Sequence, residues 1–125
     1  MTKPSLNLID RLDKDAKGSL VFILILAIID KKDNPWGYQI KKELQIIMNT
    51  DQAISDSTLY TTLRNLENNY KFVISEIIDK RRIYKLSEFG KSHIQSIYDY
   101  WINLLELSKS SLKNLNIPTN FGGNN

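Results

Sequence analysis

Three features of this 125-residue sequence predict an α+β fold that is mostly helical. Two segments, over residues 36–48 and 54–69, carry apolar residues at helical spacing and are joined by a short polar connection. Two runs rich in β-branched residues follow around a charged turn, and a long apolar-striped segment closes the chain. Two helices, a short turn and a two-stranded wing form a winged helix-turn-helix, which is the predicted fold, with a long C-terminal helix for dimerisation.

Composition limits the chemistry that the chain can perform. With 42% hydrophobic and 25% charged residues, it is predicted to be globular, and its net charge of +3 permits an anionic partner without requiring one. The absence of Cys excludes disulfides, thiolate zinc sites and Cys nucleophiles. His93 is the single histidine, so one subunit has no second imidazole for a metal cluster or a conventional triad. We therefore predict no catalytic residue, no metal and no cofactor.

The first third of the chain is predicted as two elements. Residues 1–17 form an N-terminal arm or a short amphipathic helix, and a disordered arm is the alternative. Residues 20–29 are apolar without interruption, which predicts a buried helix, because a membrane span needs about 20 such residues. Lys14 and Lys17 precede this run as in a signal peptide, but no small-x-small cleavage site follows. A cytoplasmic protein without a membrane segment is the prediction, and secretion is the alternative.

The segment over 54–69 has the pattern of a recognition helix. Ser55 and its neighbours can cap a first helical turn, and Leu59, Leu63 and Leu66 define the face that packs inward, with Tyr70 beyond them. The opposite face is polar and uncluttered, with side chains that reach phosphates and base edges in a major groove. An ordinary amphipathic surface helix is the alternative. The outer and flanking residues predicted to contact DNA are Ser57, Thr58, Tyr60, Thr61, Arg64, Asn65 and Asn68.

The wing is predicted from residues 72–78 and 83–86, which flank a turn over 79–82. No Asn-Gly or Asp-Gly pair marks a tight loop, so we expect a wider, projecting turn. Lys80, Arg81 and Arg82 at its tip are the densest charge on the chain. Such a run is usually a solvated loop, but directly after a candidate recognition helix it favours contacts to the DNA backbone.

The last predicted helix begins at Ser87-Glu88 and ends near Asn114. At 1.5 Å per residue such a helix is about 40 Å long, more than a small core covers. Its apolar stripe therefore predicts a second copy of the chain as partner. The predicted dimer residues are Tyr98, Trp101, Leu104, Leu105 and Leu112. The predicted organisation is thus an arm over 1–17, a winged-helix domain over 18–90, a dimerisation helix over 91–117 and a disordered tail over 118–125.

Three motifs in order resemble those of PadR-like transcriptional regulators: GYQI at 37–40, STLYTTLRNLE at 57–67 and RRIYKLSEFG at 81–90. The resemblance covers roughly residues 20–90. The chain departs from it at Thr61, where the family often has Pro, and over 69–73, where the family has a Gly. The resemblance implies a winged-helix repressor that binds operator DNA as a homodimer. It also implies that DNA is contacted by Thr58, Tyr60, Arg64, Arg81 and Arg82.

Two further expectations concern partners. Some PadR-like proteins respond to phenolic acids or flat aromatic compounds, so Trp101 and Tyr98 are candidates for binding a small aromatic effector, and plain packing is the alternative. The partners predicted are double-stranded DNA and a second copy of the chain. The alternative function is a winged helix used as a protein–protein interaction module without sequence-specific DNA binding. Enzymatic activity is not predicted, because Ser110 and Lys113, a formal Ser-x-x-Lys pair, lack companion motifs.

Overall fold

The computed structural model of the chain describes residues 4–119. Its elements are α1 (Pro4–Lys31), α2 (Gly37–Met48), α3 (Asp56–Asn68), β1 (Val73–Ile78), β2 (Arg81–Leu86) and α4 (Glu88–Asn114). They form two compact units, one that ends at Ser92 and one that begins at His93. The four helices and the two-stranded sheet confirm the mostly helical α+β prediction. Part of the predicted tail, 120–125, and the first three residues lie outside the described residues.

The N-terminal segment is one continuous helix, so the predicted break between residues 17 and 18 is wrong. The second half of α1 is anchored in the core, with Ile25, Leu26, Ile28 and Ile29 between 0% and 4% exposed. Once that half is formed, each further residue adds a hydrogen bond at little cost, so the helix extends through Gly18. Residues 7–19 of this helix are exposed, with Leu8, Ile9 and Leu12 at 57–59%.

The core of the first unit is built from one apolar stripe of each helix and one face of the sheet. The predicted inward residues Leu59, Leu63 and Leu66 are each 1% exposed, and Ile40 and Leu44 of α2 are fully buried. Tyr70, which the sequence placed beyond the inner face of α3, is 56% exposed, and Ile47 of α2 is 48% exposed. Both lie at or beyond the ends of their helices, where the neighbouring elements no longer cover them.

The wing is a tight hairpin, which corrects the prediction of a wide turn. Ile78 pairs with Arg81, so only Asp79 and Lys80 form the loop, with φ of 51° and 67°. Positive φ at both central residues is typical of a type I′ turn, whose twist matches that of the strands. Arg81 and Arg82 consequently belong to β2 and not to the turn.

The far edge of the wing is tied to the segment before α2. Trp36 forms an antiparallel bridge with Ile83, and the backbone N–H of Tyr84 donates to the carbonyl of Pro35 at 2.9 Å. The wing is therefore fixed to the start of the helix-turn-helix by backbone hydrogen bonds.

The turn from α3 into β1 forms without the family's Gly. Lys71 takes the left-handed conformation, with φ of 62°, that a glycine would adopt at little cost. The turn is held by the N–H of Phe72, which donates to the carbonyl of Leu66 at 2.9 Å, and by the Ser87 hydroxyl, which donates to the carbonyl of Lys71 at 2.6 Å. The sequence departure thus leaves the connection intact and places some strain in Lys71.

Candidate nucleic-acid interface

The start of α3 is fixed by its cap and by α2. The hydroxyl oxygen of Ser55 accepts the backbone N–H of Thr58 at 3.2 Å, and the same hydroxyl lies 2.9 Å from that of Thr58. The Nζ of Lys41 donates to the carboxylate of Asp56 at 2.6 Å, which joins α2 to the first turn of α3. The negative Asp56 also suits the positive end of the helix dipole. These contacts set the direction in which α3 presents its outer face.

α3 and the wing line a common groove of about 590 Å³. Its cations are Arg64 of α3 and Lys80, Arg81 and Arg82 of the wing, and Glu67 is the single acidic side chain in its lining. The remaining lining residues are Trp36, Gly37, Tyr60, Asn68 and Tyr84. A concave surface with an excess of cations between a recognition helix and a wing is complementary to a polyanion.

Tyr60 packs against the first residue of α2 and also lines the groove. The side chain is 42% exposed, and a Cβ at Gly37 would lie 2.5 Å from its hydroxyl oxygen. Glycine at position 37 therefore makes room for the ring. Packing against the preceding helix thus still leaves the phenol at the groove.

The polar residues predicted on α3 separate into two groups. Arg64, which donates to the hydroxyl of Thr61 at 3.3 Å, lines the groove together with Asn68. Asn65 is half-buried outside that lining, and its Oδ1 accepts from Asn69 at 2.8 Å. Ser57 and Thr58 are exposed at the opposite end of the helix. The structure thus brings Arg64 and Asn68 to the wing, with Thr61 beside them. Ser57, Thr58 and Asn65 lie outside the groove lining.

The three wing cations have different surroundings. The guanidinium of Arg81 lies over the Trp36 indole, whereas Arg82 donates from Nη1 to the Ser75 hydroxyl at 3.0 Å. Lys80 lies at the tip of the hairpin. Across the described residues, none of the ion pairs involves these three side chains. No ion pair in this part of the chain therefore neutralises the three charges, although the Ser75 hydroxyl engages the Arg82 guanidinium.

A model of the "Transcriptional regulator PadR-like family" matches residues 25–96, which cover the groove and all the elements that build it. This chain belongs to the PadR-like family. Its members are transcriptional regulators and not enzymes, and they bind DNA. An uncharacterised protein of Lysinibacillus sphaericus is 27% identical over 88 residues, which cover 67% of this chain and 80% of that protein.

Solved structures show the same fold. A PadR family transcriptional regulator from Eggerthella lenta superimposes with a TM-score of 0.70 at 19% identity, covering 85% of this chain and 93% of that one. A transcriptional regulator from Clostridium thermocellum gives 0.65 at 24% identity, covering 80% and 93%. A PadR family regulator from Clostridium difficile gives 0.60 at 24% identity, covering 74% and 97%. The winged-helix prediction is confirmed. No helix in the described part of this PadR-like chain combines the length and apolar character that a membrane span requires.

The site residues predicted for this PadR-like protein did not include Trp36, Gly37, Glu67 and Tyr84, which line the groove, or Ser75, which bonds to two residues of the lining. The Trp36 ring lies against the Arg81 guanidinium, the Ser75 hydroxyl bonds to both Glu67 and Arg82, and Tyr84 is buried. Burial raises the pKa of Tyr84, with a smaller opposing effect from Arg82 and a reinforcing one from Glu67. Only Ser75 carried a local signal, as the lone hydroxyl in an otherwise apolar and acidic strand.

The predicted dimer residues of this PadR-like protein lie on α4. Leu104, Leu105 and Leu112 are 37%, 50% and 44% exposed, and Tyr98 and Trp101 are half-buried. The prediction that Tyr98 and Trp101 bind an aromatic effector stays a prediction.

Proposed function

We propose that this PadR-like protein is a sequence-specific regulator that binds double-stranded DNA as a homodimer in the cytoplasm and represses transcription. The observation that carries the proposal is the shared groove of α3 and the wing, which holds four cations against one carboxylate. A helix in the major groove and a hairpin on the adjacent backbone reach the same duplex only when they face the same way. The groove gives the two elements that common direction.

The side chains of the groove divide into two roles. Arg64 and Asn68, with Thr61 beside them, present a guanidinium, an amide and a hydroxyl that suit base edges in the major groove. The phenol of Tyr60 and the cations Lys80 and Arg81 suit phosphates, which set position and add salt-dependent affinity. Ser57 and Thr58, exposed near the N-terminus of α3 and outside the protein groove, are assigned to a phosphate at the edge of the DNA major groove. Asn65, which lies on α3 outside the groove lining, is assigned to bases on that side of the helix.

The homodimer is inferred from apolar surface that the chain leaves uncovered. Leu105 and Leu112 on α4, and Leu8, Ile9 and Leu12 on α1, are about half exposed or more. A helix with such a stripe is stabilised by a partner, and a second copy gives the two-fold symmetry that a symmetric operator requires.

Dimerisation is tested by Leu105→Glu, with Leu107→Glu as matched control. The two leucines are 50% and 60% exposed, and two residues along a helix place them about 200° apart around its axis. Analytical ultracentrifugation should give a dimer for the wild type and for Leu107→Glu, and a monomer for Leu105→Glu. A wild-type monomer, or a dimer in all three, contradicts this interface.

DNA recognition is tested by selection from a random duplex library with the purified protein. The expected product is a two-fold symmetric site whose half-sites lie about 34–36 Å apart. That site, placed across a promoter, should reduce transcription in vitro when the protein is added. No enrichment over the starting library contradicts DNA recognition. Capture of a stable protein partner that tolerates Arg81→Ala would then favour the interaction-module alternative.

A further inference from the structure

A single hydroxyl joins the recognition helix to both strands of the wing. Ser75 on β1 donates to the Glu67 carboxylate of α3, at 2.8 Å to one oxygen and 3.0 Å to the other. The same hydroxyl oxygen accepts from Nη1 of Arg82 on β2 at 3.0 Å. A serine hydroxyl has one proton to donate and lone pairs to accept, so it can serve both partners at once.

The Glu67–Ser75–Arg82 relay lies where it can fix the orientation of the wing relative to α3. Ser75 and Tyr84 are directly opposed in the hairpin, and Tyr84, 4% exposed, closes the core below the relay. Glu67 and Ser75 are half-buried, and hydrogen bonds that involve a charged group are about twice as strong as neutral ones. The relay therefore resists rotation of the wing relative to α3.

We propose that Arg82 is a positioning residue that acts through Ser75 and Glu67 to hold the wing against the recognition helix, and does not itself bind phosphate. The proposal rests on the DNA-binding function inferred above. The relay orders the wing before binding, so that Lys80 and Arg81 reach the backbone without a further loss of conformational freedom. Arg82 is thereby assigned a different role from its neighbour Arg81, although the two are adjacent in sequence.

Ser75→Ala and Ser75→Thr test the relay without changing any charge. Alanine removes the hydroxyl, whereas threonine keeps it and suits a strand. We expect Ser75→Ala to weaken operator binding by roughly fivefold to tenfold, and Ser75→Thr to bind within about twofold of the wild type. Ser110→Ala on α4, whose hydroxyl donates to the carbonyl of Leu107 at 3.3 Å, is the control and should have no effect.

Arg82→Ala separates positioning from direct phosphate binding. A positioning residue neutralises no phosphate, so the slope of log Kd against log salt should equal that of the wild type while the affinity falls. If Arg82 instead bound one phosphate in each subunit, its replacement would lower the slope by about 1.8, twice the value of about 0.9 per phosphate. Tighter binding by Ser75→Ala would mean that the relay withholds Arg82 from DNA. Either result overturns the proposal.

Hydrogen–deuterium exchange on the free protein tests the relay without DNA. Amides of residues 77–83 should exchange faster in Ser75→Ala than in the wild type or Ser75→Thr. If the wild type binds no duplex, the proposed function fails, and faster exchange confined to Ser75→Ala would still support the relay. Equal exchange in all three proteins overturns it.

Discussion

The guanidinium carbon of Arg81 lies 4.3 Å from the centre of the Trp36 indole ring. The residue that opens the helix-turn-helix thus carries a cation of the wing on its aromatic face. The backbone of Trp36 also forms a bridge with Ile83, so both its side chain and its backbone join the segment before α2 to strand β2. This contact orients Arg81, and none of the ion pairs among residues 4–119 neutralises its charge, which suits a residue that must later bind phosphate.

Replacing Trp36 by Leu should loosen Arg81 without changing any charge. Cation–π contacts at exposed sites contribute about 0.5–1 kcal/mol, so affinity for the operator should fall by roughly twofold to fivefold for each of the two subunits. Trp36→Phe keeps an aromatic face and should bind at an intermediate level. Fluorescence anisotropy with labelled duplex measures all three proteins, and equal affinity for Leu and wild type would contradict a role for the stack.

Gly37→Ala should displace Tyr60 from the groove. The new Cβ would lie 2.5 Å from the hydroxyl oxygen and 2.7 Å from a ring carbon, so the ring must turn outward. Since Tyr60 is 42% exposed, it can turn at little cost, and stability measured by urea denaturation should change by less than about 1 kcal/mol. Operator affinity should fall.

A double-mutant cycle checks that Tyr60 transmits the Gly37→Ala effect. In a Tyr60→Ala background the added methyl meets no ring, so Gly37→Ala should cause no further loss of affinity. An equal loss in both backgrounds would show that the effect does not pass through Tyr60.

Lys71→Gly should stabilise the protein. A non-glycine residue in the left-handed region costs about 1 kcal/mol or more, and the flexibility of glycine in the unfolded chain offsets part of the gain. We expect a net increase of about 0.5–1 kcal/mol in the free energy of unfolding, measured by urea denaturation. Lys71→Ala removes the same charge but keeps the strain, so it should show no gain. Equal stability of the two variants would contradict this account of the turn.

Tyr84 should make stability fall at high pH. Its pKa is raised above the ordinary value of 10.0 in the folded protein, chiefly by burial. Above about pH 10 the unfolded chain loses this proton first, so the stabilisation is complete below that pH and is lost as pH rises toward the folded pKa.

The unfolding free energy of the wild type minus that of Tyr84→Phe isolates this residue. This quantity should be constant from about pH 8 to 9 and decrease above about pH 10, where the unfolded tyrosine begins to ionise. Urea denaturation across that range measures it. A constant or growing difference at high pH would show that burial does not hold Tyr84 in its neutral form.

The sequence predicted what periodicity and capping residues determine. Leu59, Leu63 and Leu66 follow the helical period, and Ser55 caps the helix as its position predicts. A charged hairpin directly after a polar-faced helix made Arg64 and the wing cations candidates for DNA contact. All of these residues line the groove. These features depend on neighbours along the chain, which a sequence displays directly.

The features of the fold and the groove that the sequence did not predict depend on contacts between residues far apart in the chain. Asp79, Lys80 and Lys71 adopt positive φ because the strands and the flanking helices fix their ends, although none of them is glycine. Trp36 on Arg81 and Glu67 on Ser75 are tertiary contacts without any periodic pattern. Continuation of α1 through Gly18 was likewise decided by the buried half of the helix, not by the local propensity of glycine.

The central claim, that α3 and the wing bind one duplex through their common groove, is tested most directly by the salt dependence of operator affinity in wild type and Arg81→Ala. Lys85→Ala is the matched control, because Lys85 lies on the same strand and pairs with Glu76 at 3.7 Å. If Arg81 binds one phosphate in each subunit of a dimer, Arg81→Ala should lower the slope of log Kd against log salt by about 1.8. Lys85→Ala should keep the wild-type slope. A wild-type slope near zero, or equal reductions in both variants, would contradict the account.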